Sequence, residues 1–205
     1  IKVPDVVGKD FDEATEMITS ANLKVEKNEI YDNNVAAGLV ISQTPQAGSS
    51  QKGGTKILLT VSLGKQPVTV KFNSLGGTCP ESERTVYYTE TYGKLPVPTM
   101  QYHKFLGWYT AEKSGSQVEA DTKVNNVNSQ TLYARWERIY VRVAFDANGG
   151  KVGTSSTNIA MGEKYSLPTP ERKYYSFDGW YTDKNGGTKV TSSDVMSTGE
   201  RHTLY

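Results

Sequence analysis

The spacing of apolar residues in the first 64 positions changes from helical to alternating. One apolar face at helical spacing comprises Phe11, Ala14, Met17, Ile18 and Ala21. Asp10 stands directly before this face and Glu13 follows three residues later. We therefore predict a helix with Asp10 as N-cap and Glu13 closing a capping box. Asn22 is expected to end the helix in the left-handed conformation.

Short extended segments flank this predicted helix. Residues 3–8 have the pattern of an extended segment that ends in a turn, and residues 23–26 and 40–43 alternate. Residues 57–62 give the strongest strand pattern, and two glycines make the turn before it. The order strand, helix, strand, strand, strand predicts an α+β module with its helix on one sheet face.

The remaining residues carry one pattern twice. Phe-Leu-Gly-Trp-Tyr-Thr at 105–110 returns as Phe-Asp-Gly-Trp-Tyr-Thr at 177–182, 72 residues later. Leu-Pro-Val-Pro at 95–98 returns at the same offset as Leu-Pro-Thr-Pro at 167–170. A period this long exceeds the usual solenoid unit of about 20–50 residues. Each copy is therefore predicted to be a small tandem domain with its own core.

Alternation within each copy predicts a first strand with one apolar face. Val68, Val70 and Phe72 recur 73 residues later as Val141, Val143 and Phe145. Residues 85–88 are predicted to form a second strand. The Leu-Pro-x-Pro segments should run extended, because proline lacks a backbone donor and restricts its predecessor.

Trp108 and Trp180 lie at the centre of the repeated motif. An indole can stack on a sugar, but a domain this small needs an aromatic core, and the flanking Gly107 and Gly179 indicate a close approach of backbone. We interpret both indoles as core. The tyrosines outside the repeated motif are too many to bury, so some should lie on the surface and suit weak protein or glycan contacts: Tyr87, Tyr88, Tyr102, Tyr174 and Tyr175.

Composition narrows the class of protein. Only 36% of residues are hydrophobic, and 19 Gly with 13 Tyr fit many short strands and turns. A net charge of +1 gives no indication of a nucleic-acid or anionic-membrane partner. The single cysteine, Cys79, excludes an internal disulfide framework. It falls opposite Val152, so we predict a buried or half-buried side chain and not a reactive nucleophile.

No motif for catalysis or metal binding is present. The sequence has no phosphate loop, nucleophile elbow, His-Glu helix pair or Cys/His cluster. His103 and His202 do not occupy equivalent repeat positions, and we expect both in exposed loops. We therefore predict no enzyme, no catalytic, metal or cofactor-binding residue and no cofactor, and we assign no ligand-binding residue. No apolar run is long enough to predict a transmembrane helix.

Residues 1–64 resemble the PASTA domain, named for penicillin-binding proteins and serine/threonine kinases. The resemblance rests on Val-Pro-Asp-Val-Val-Gly at 3–8, on 14–23, on Val-Ile-Ser-Gln-Thr-Pro at 40–45 with Ala-Gly at 47–48, and on Val-Ser-Leu-Gly at 61–64. It implies an extracellular module that in some members binds peptidoglycan. Wall contact and a purely spacing role both stay open.

The two copies resemble the Listeria-Bacteroides repeat, the B-repeat of the internalin type. The residues of the first copy that carry the resemblance are Val70, Phe72, Gly76, Gly77, Tyr92, Gly93, Leu95, Pro96, Pro98, Phe105, Gly107, Trp108, Tyr109, Thr110, Gly115, Val118, Leu132, Tyr133, Ala134, Arg135 and Trp136. The second copy stops at Tyr205, before Ala-Arg-Trp. The resemblance implies a β-grasp-like fold in secreted, wall-attached bacterial proteins.

Together these patterns predict an α+β, multidomain chain in an elongated arrangement. A PASTA-like helix-on-sheet domain spans 1–65, a first β-rich, β-grasp-like B-repeat spans 66–138, and a second one, truncated at its C-terminal strand, spans 139–205. We expect this to be a segment of a longer chain, because it begins inside an element and the second copy lacks its last residues.

The function implied is a non-catalytic stalk or spacer in a bacterial cell-surface or cell-wall-associated protein. Its implied partner is peptidoglycan or another wall component, contacted weakly through the PASTA-like domain. Two alternatives stay open: an adhesin-type module that binds host glycan or protein through the repeats, and the sensor ectodomain of a receptor kinase. No nucleic-acid partner and no membrane insertion are expected, and the location implied is extracellular, at the cell surface or cell wall.

Overall fold

The computed structural model describes all residues 1–205, and their contacts group them into two compact units. The first unit comprises Ile1–Lys71, Glu83–Leu95 and Glu119–Thr131. The second unit comprises Phe72–Ser82, Pro96–Val118 and Leu132–Tyr205. Strands dominate both units, and the chain has a single helix of 10 residues. The chain as a whole is therefore mostly β, and the predicted α+β character is limited to the first 64 residues.

The amino-terminal elements are one helix and three strands. They are α1 (Phe11–Ser20), β1 (Lys24–Ile30), β2 (Val40–Thr44) and β3 (Lys56–Ser62). The strands form a sheet of order β1-β3-β2, in which β1 runs parallel and β2 antiparallel to β3. The helix buries Ala14 and Ile18 in a core that also holds Ile57 and Leu59. This is the predicted helix-on-sheet packing.

Both ends of α1 follow from side-chain chemistry. Asp10 is the N-cap, as predicted, and its carboxylate accepts from the backbone N–H of Asp12. The capping-box prediction is wrong for Glu13, because its carboxylate instead pairs with Lys9 at 2.6 Å. Asn22 takes a φ of 53°. The helix therefore ends in the predicted left-handed residue.

The extended segment before the helix is not a strand, contrary to the prediction. Its only ladder contact is an isolated bridge between Lys2 and Ser50. The buried side chain of Gln43 takes the place of a neighbouring strand: its oxygen accepts from the Val6 N–H at 2.8 Å, and its nitrogen donates to the Pro4 carbonyl at 2.9 Å. One amide side chain thus satisfies backbone groups that a sheet would otherwise pair.

The first repeat contains five strands. They are β4 (Pro67–Asn73), β5 (Glu83–Tyr87), β6 (His103–Tyr109), β7 (Gln117–Val118) and β8 (Gln130–Arg138). Their order in the sheet is β5-β4-β8-β6-β7. The predicted alternation of β4 is confirmed, because Val68, Val70 and Phe72 are all buried.

The second repeat contains the corresponding five strands in two sheets. They are β9 (Tyr140–Phe145), β10 (Ser156–Ala160), β11 (Trp180–Asp183), β12 (Gly186–Val190) and β13 (His202–Leu204). One sheet has the order β10-β9-β13 and the other pairs β11 with β12. The last strand, β13, runs parallel to β9. A separate core forms around Val143, Trp180, Met196 and Leu204.

The turn after the first strand has the same geometry in both repeats despite different residues. Asn73 accepts from the N–H of Leu75, and Asp146 accepts in the same way from the N–H of Asn148. Leu75 and Asn148 then have φ angles of 47° and 48°. The side chain two residues before the left-handed position therefore sets this turn.

Candidate functional site

Trp108 and Trp180 are core residues, as predicted. Each is 1% exposed. The Trp108 indole N–H donates to the Pro96 carbonyl at 2.8 Å, and the Trp180 indole N–H donates to the Pro168 carbonyl at 2.7 Å. The extended Leu-Pro-x-Pro segment thus supplies the acceptor that a buried indole needs. Neither indole is available to stack on a ligand.

The glycines before these tryptophans have a different role from the one predicted. Gly107 and Gly179 adopt φ angles of 138° and 153°, which residues with a side chain rarely adopt. A Cβ on Gly107 would lie 2.7 Å from the Gln117 amide nitrogen, and one on Gly179 would collide with the Lys189 side chain. The close neighbour is therefore a side chain from the adjoining strand and not the indole.

A third indole covers the edge of the first repeat. Trp136 on β8 is half-buried, its ring centroid lies 5.4 Å from that of Phe105, and its N–H donates to the Ser74 carbonyl at 2.9 Å. A Cβ on Gly77 would lie 2.5 Å from the Trp136 ring. Gly77 is thus required because the indole lies directly on its backbone.

The corresponding place in the second repeat is a groove of about 340 Å³, and the given sequence ends at Tyr205, before the position that corresponds to Trp136. Ala147, Gly150 and Phe177, which correspond to Ser74, Gly77 and Phe105, line it. Tyr175, Tyr181 and Tyr205 add further aromatic lining, and Arg172, Asp178, Asp183 and Lys184 add charge. Phe177 is 43% exposed.

The charged groups around this groove largely satisfy one another. The Tyr181 hydroxyl donates to the Asp178 carboxylate, and Lys189 lies 3.6 Å from the same carboxylate. The Tyr181 hydrogen bond and the Lys189 charge hold the pKa of Asp178 below its usual range. The same hydrogen bond raises the pKa of Tyr181.

The remaining candidate side chains are one cysteine and two histidines. Cys79 is free and half-buried, as predicted. The prediction of exposed loop histidines is wrong, because His103 and His202 lie in β6 and β13 and are half-buried. The His202 ring nitrogen lies 3.1 Å from the Tyr165 hydroxyl. No three His, Cys, Asp or Glu side chains come close enough together to hold a metal ion. The 10-residue helix is too short to span a bilayer.

The five tyrosines that were candidates for the surface differ in their exposure. Tyr174 and Tyr175 are 89% and 66% exposed, and Tyr87 is 41% exposed. Tyr88 and Tyr102 are half-buried. These last two belong to segments where one module meets the next.

Two such junctions occur, and sequence analysis did not identify them. At the first, the Tyr88 N–H donates to the Gln66 carbonyl at 2.9 Å, and Lys65 pairs with Glu90. At the second, the Met161 N–H donates to the Ile139 carbonyl at 2.9 Å, and Arg138 pairs with Glu163 at 2.6 Å. Every member of the second set stands 73 residues after its counterpart. This constant offset is the sequence signal that relates the residues of the second junction to those of the first.

Comparison with known families identifies both kinds of module. Residues 1–63 match the PASTA domain, and residues 69–135 and 142–205 match the Listeria-Bacteroides repeat domain, which covers well over half of the chain. The chain therefore belongs to the Listeria-Bacteroides repeat family, with a PASTA domain ahead of its two repeats. Both are typically non-catalytic extracellular modules, which fits a cell-surface or cell-wall context.

Relatives share part of this organisation. Internalin H of Listeria monocytogenes is 31% identical over 59% of this chain and 22% of its own length. A protein named as a Gly-rich membrane protein of Evansella cellulosilytica is 36% identical over 57% of this chain and 13% of its own length. The chain thus spans less than a quarter of either relative. The crystal structure of the three-PASTA-domain of a Ser/Thr kinase from Staphylococcus aureus overlaps 64% of this chain and 97% of its own, at 15% identity and a TM-score of 0.33.

Proposed function

We propose that this chain is a non-catalytic spacer in a bacterial cell-surface or cell-wall-associated protein. The observation that carries the proposal is the pair of equivalent junctions. Each joins consecutive modules by an ion pair, Lys65 with Glu90 and Arg138 with Glu163. At the second junction the Ile139 N–H also donates to the Tyr102 carbonyl at 2.9 Å. Modules held by direct contacts transmit position along a chain, which freely jointed modules do not.

The proposed modules are 1–65, 66–138 and 139–205, with a β-grasp arrangement in each repeat. Numbered within one repeat, the strand order of the first is 2-1-5-3-4, and the second repeat divides the same order into 2-1-5 and 3-4. Parallel pairing of the first and last strands, as in β9 with β13, supports this arrangement. In each repeat an extended Leu-Pro-x-Pro segment runs where a crossover would lie.

Small-angle X-ray scattering of the full chain tests the spacer. We expect scattering that is fitted by one arrangement of modules. A six-residue Gly-Ser insertion after Gly64 should broaden the fitted ensemble. The same insertion after Gly153, in a loop inside the second repeat, is the control and should leave it unchanged. A broad ensemble in the unmodified chain would contradict the proposal.

The PASTA domain supports weak contact with peptidoglycan as a second part of the role. Sedimentation of the full chain with purified peptidoglycan measures that contact directly. Binding that persists when the second repeat is unfolded by Trp180→Ala would assign the contact to another part of the chain. Absence of binding leaves a spacer without wall contact.

Exposed tyrosines of the second repeat favour ligand binding as an alternative function. Tyr174 and Tyr175 are 89% and 66% exposed. Exposed aromatic rings stack on sugar rings or on aromatic side chains. A glycan array probed with the full chain and with Tyr175→Ala distinguishes this function: a signal lost in the variant supports it, and no signal in either contradicts it.

A further inference from the structure

The two junctions have a third shared component, a side chain from the preceding module that contacts one turn. This turn follows the second strand of each repeat and contains Thr89 in the first and Gly162 in the second, 73 residues apart. Their φ angles are 67° and 83°. At the first junction, the Asn33 amide donates to the Thr89 hydroxyl at 2.7 Å. At the second, Tyr102 lies against Gly162.

Each contact is matched to the residue in the turn. A Cβ on Gly162 would lie 2.7 Å from two carbons of the Tyr102 ring, so only glycine lets the ring lie on the turn. Asn33 instead reaches a hydroxyl by a hydrogen bond, and its small side chain accommodates the threonine. At these two junctions, a contacting tyrosine is therefore paired with a glycine in the turn, and a contacting asparagine is paired with a threonine.

The second repeat carries its own copy of the contacting tyrosine. Tyr174 stands 72 residues after Tyr102, and their φ angles are 65° and 63°. A tyrosine rarely adopts this left-handed conformation, which aims the Tyr102 ring at the next turn. Tyr174 has the same backbone conformation but is 89% exposed. The second repeat thus presents the same ring, held in the same way, to solvent.

We propose that the face around Tyr174 docks the glycine-bearing turn of another Listeria-Bacteroides repeat of the second type, placed in tandem. The argument is continuity with the Tyr102–Gly162 contact, which joins the two repeats of this chain. A repeat with a threonine in its turn is excluded, because its Cβ would meet the ring. The inference extends the proposed spacer role but depends only on the geometry of the second junction.

The test appends a second copy of residues 134–205 after Tyr205 of the full chain. Hydrogen exchange then follows the appended amide that corresponds to Ile139, because the Ile139 N–H donates to the Tyr102 carbonyl of the preceding repeat at 2.9 Å. On docking, the appended amide should donate to the Tyr174 carbonyl in the same way. We expect Tyr174→Ala to lower its protection about five- to tenfold, the size expected for one aromatic contact. Tyr175→Ala is the matched control, because this neighbour stacks on Arg172 within its own repeat.

A second arm tests the specificity of docking. Gly162→Thr placed only in the appended copy should reduce protection as much as Tyr174→Ala, and the two together should cost little more. Equal protection in the Tyr174→Ala and Tyr175→Ala chains would overturn the inference. So would dimerisation of the 205-residue chain that Tyr174→Ala abolishes, because the face would then serve a second copy.

Tyr102→Ala in the unextended chain separates this inference from the spacer proposal. It should lower protection of the Ile139 amide, which donates to the Tyr102 carbonyl, by a similar factor. If it does so while Tyr174→Ala has no effect on the extended chain, the docking face is wrong and the spacer stands. If Tyr102→Ala also has no effect, the second junction does not hold the modules and the spacer proposal loses its support.

Discussion

The first and second repeats have equivalent, separate cores but differ at one edge. Trp108 and Trp180 are equally buried, and each donates to a proline carbonyl twelve residues before it. In the first repeat Trp136 then covers Phe105, whereas the given sequence ends before the position that would correspond to Trp136 beside Phe177. The central indole is therefore a core residue in both repeats, and the edge indole, Trp136, covers Phe105 in the first repeat.

This difference separates positions that specify the fold from positions that give each repeat its own surface. Pro96 and Pro168 are identical in both repeats and accept from the central indoles. Thr89 and Gly162 differ and lie where one module contacts the next, although the junction ion pairs use the identical Glu90 and Glu163.

Removing a central indole should have the largest effect. Trp108→Ala and Trp180→Ala should each destabilise their own repeat by about 3–5 kcal/mol, because each leaves a large cavity and an unpaired proline carbonyl. Urea denaturation followed by far-UV circular dichroism measures this. The matched variants Trp108→Phe and Trp180→Phe should cost clearly less, and a markedly smaller loss in one repeat would break the equivalence of the two cores.

A methyl group beneath the edge indole should have the next largest effect. Gly77→Ala places a Cβ 2.5 Å from Trp136 and 2.8 Å from the Thr99 carbonyl, so we expect a loss of about 1–3 kcal/mol. Gly150→Ala is the matched change in the second repeat. Its Cβ would lie 3.1 Å from two carbonyl oxygens and meet no ring, so we expect a smaller loss. Thermal denaturation of both variants measures the two losses of stability. Equal losses would contradict the conclusion that Trp136 packs on Gly77.

Alkaline pH should destabilise both repeats through equivalent tyrosines. Burial raises the pKa of Tyr92, and burial together with the nearby Asp194 raises that of Tyr165. The folded state thus favours the neutral phenol: its stabilisation is complete below the unfolded value of 10.0 and is lost as pH rises above it. Tyr92→Phe and Tyr165→Phe should flatten the dependence of melting temperature on pH between 9 and 11. An unchanged slope in both would refute this assignment.

The ion pairs at the two junctions should have the smallest effect. Lys65 and Glu90 are largely exposed, as are Arg138 and Glu163. Charge reversal at Glu90 or Glu163 should therefore loosen its junction slightly at low salt, and the effect should disappear at about 1 M salt because exposed charges are screened. Heteronuclear relaxation at two salt concentrations measures this. A large effect that survives high salt would show that these pairs dominate the junctions.

Much of the fold could be predicted because its determinants are local or repeated. Helix α1 follows from its apolar spacing and Asp10, and the two repeats follow from identical residues at a constant offset. Residues 3–8 could not be assigned, because the Gln43 side chain that pairs their backbone comes from 37 positions away from Val6. The capping box failed because Lys9 competes for Glu13.

The candidate site was less accessible to sequence analysis. Exposed tyrosines were expected, but nothing local shows that Tyr102 packs on Gly162 while Tyr174 remains exposed. The groove beside Phe177 lies where the given sequence ends, three residues before the position that corresponds to Trp136. The equivalence of the two repeats relates Tyr102 to Tyr174 and Phe105 to Phe177, and the structure shows how each side chain packs.

The most direct test of the account is nuclear magnetic resonance ¹⁵N relaxation on the full chain in solution. If the junctions hold, residues 1–65, 66–138 and 139–205 should share one rotational correlation time, and Tyr102→Ala should give the last segment a shorter one. Three different, shorter correlation times in the unmodified chain would show freely jointed modules and would contradict the spacer.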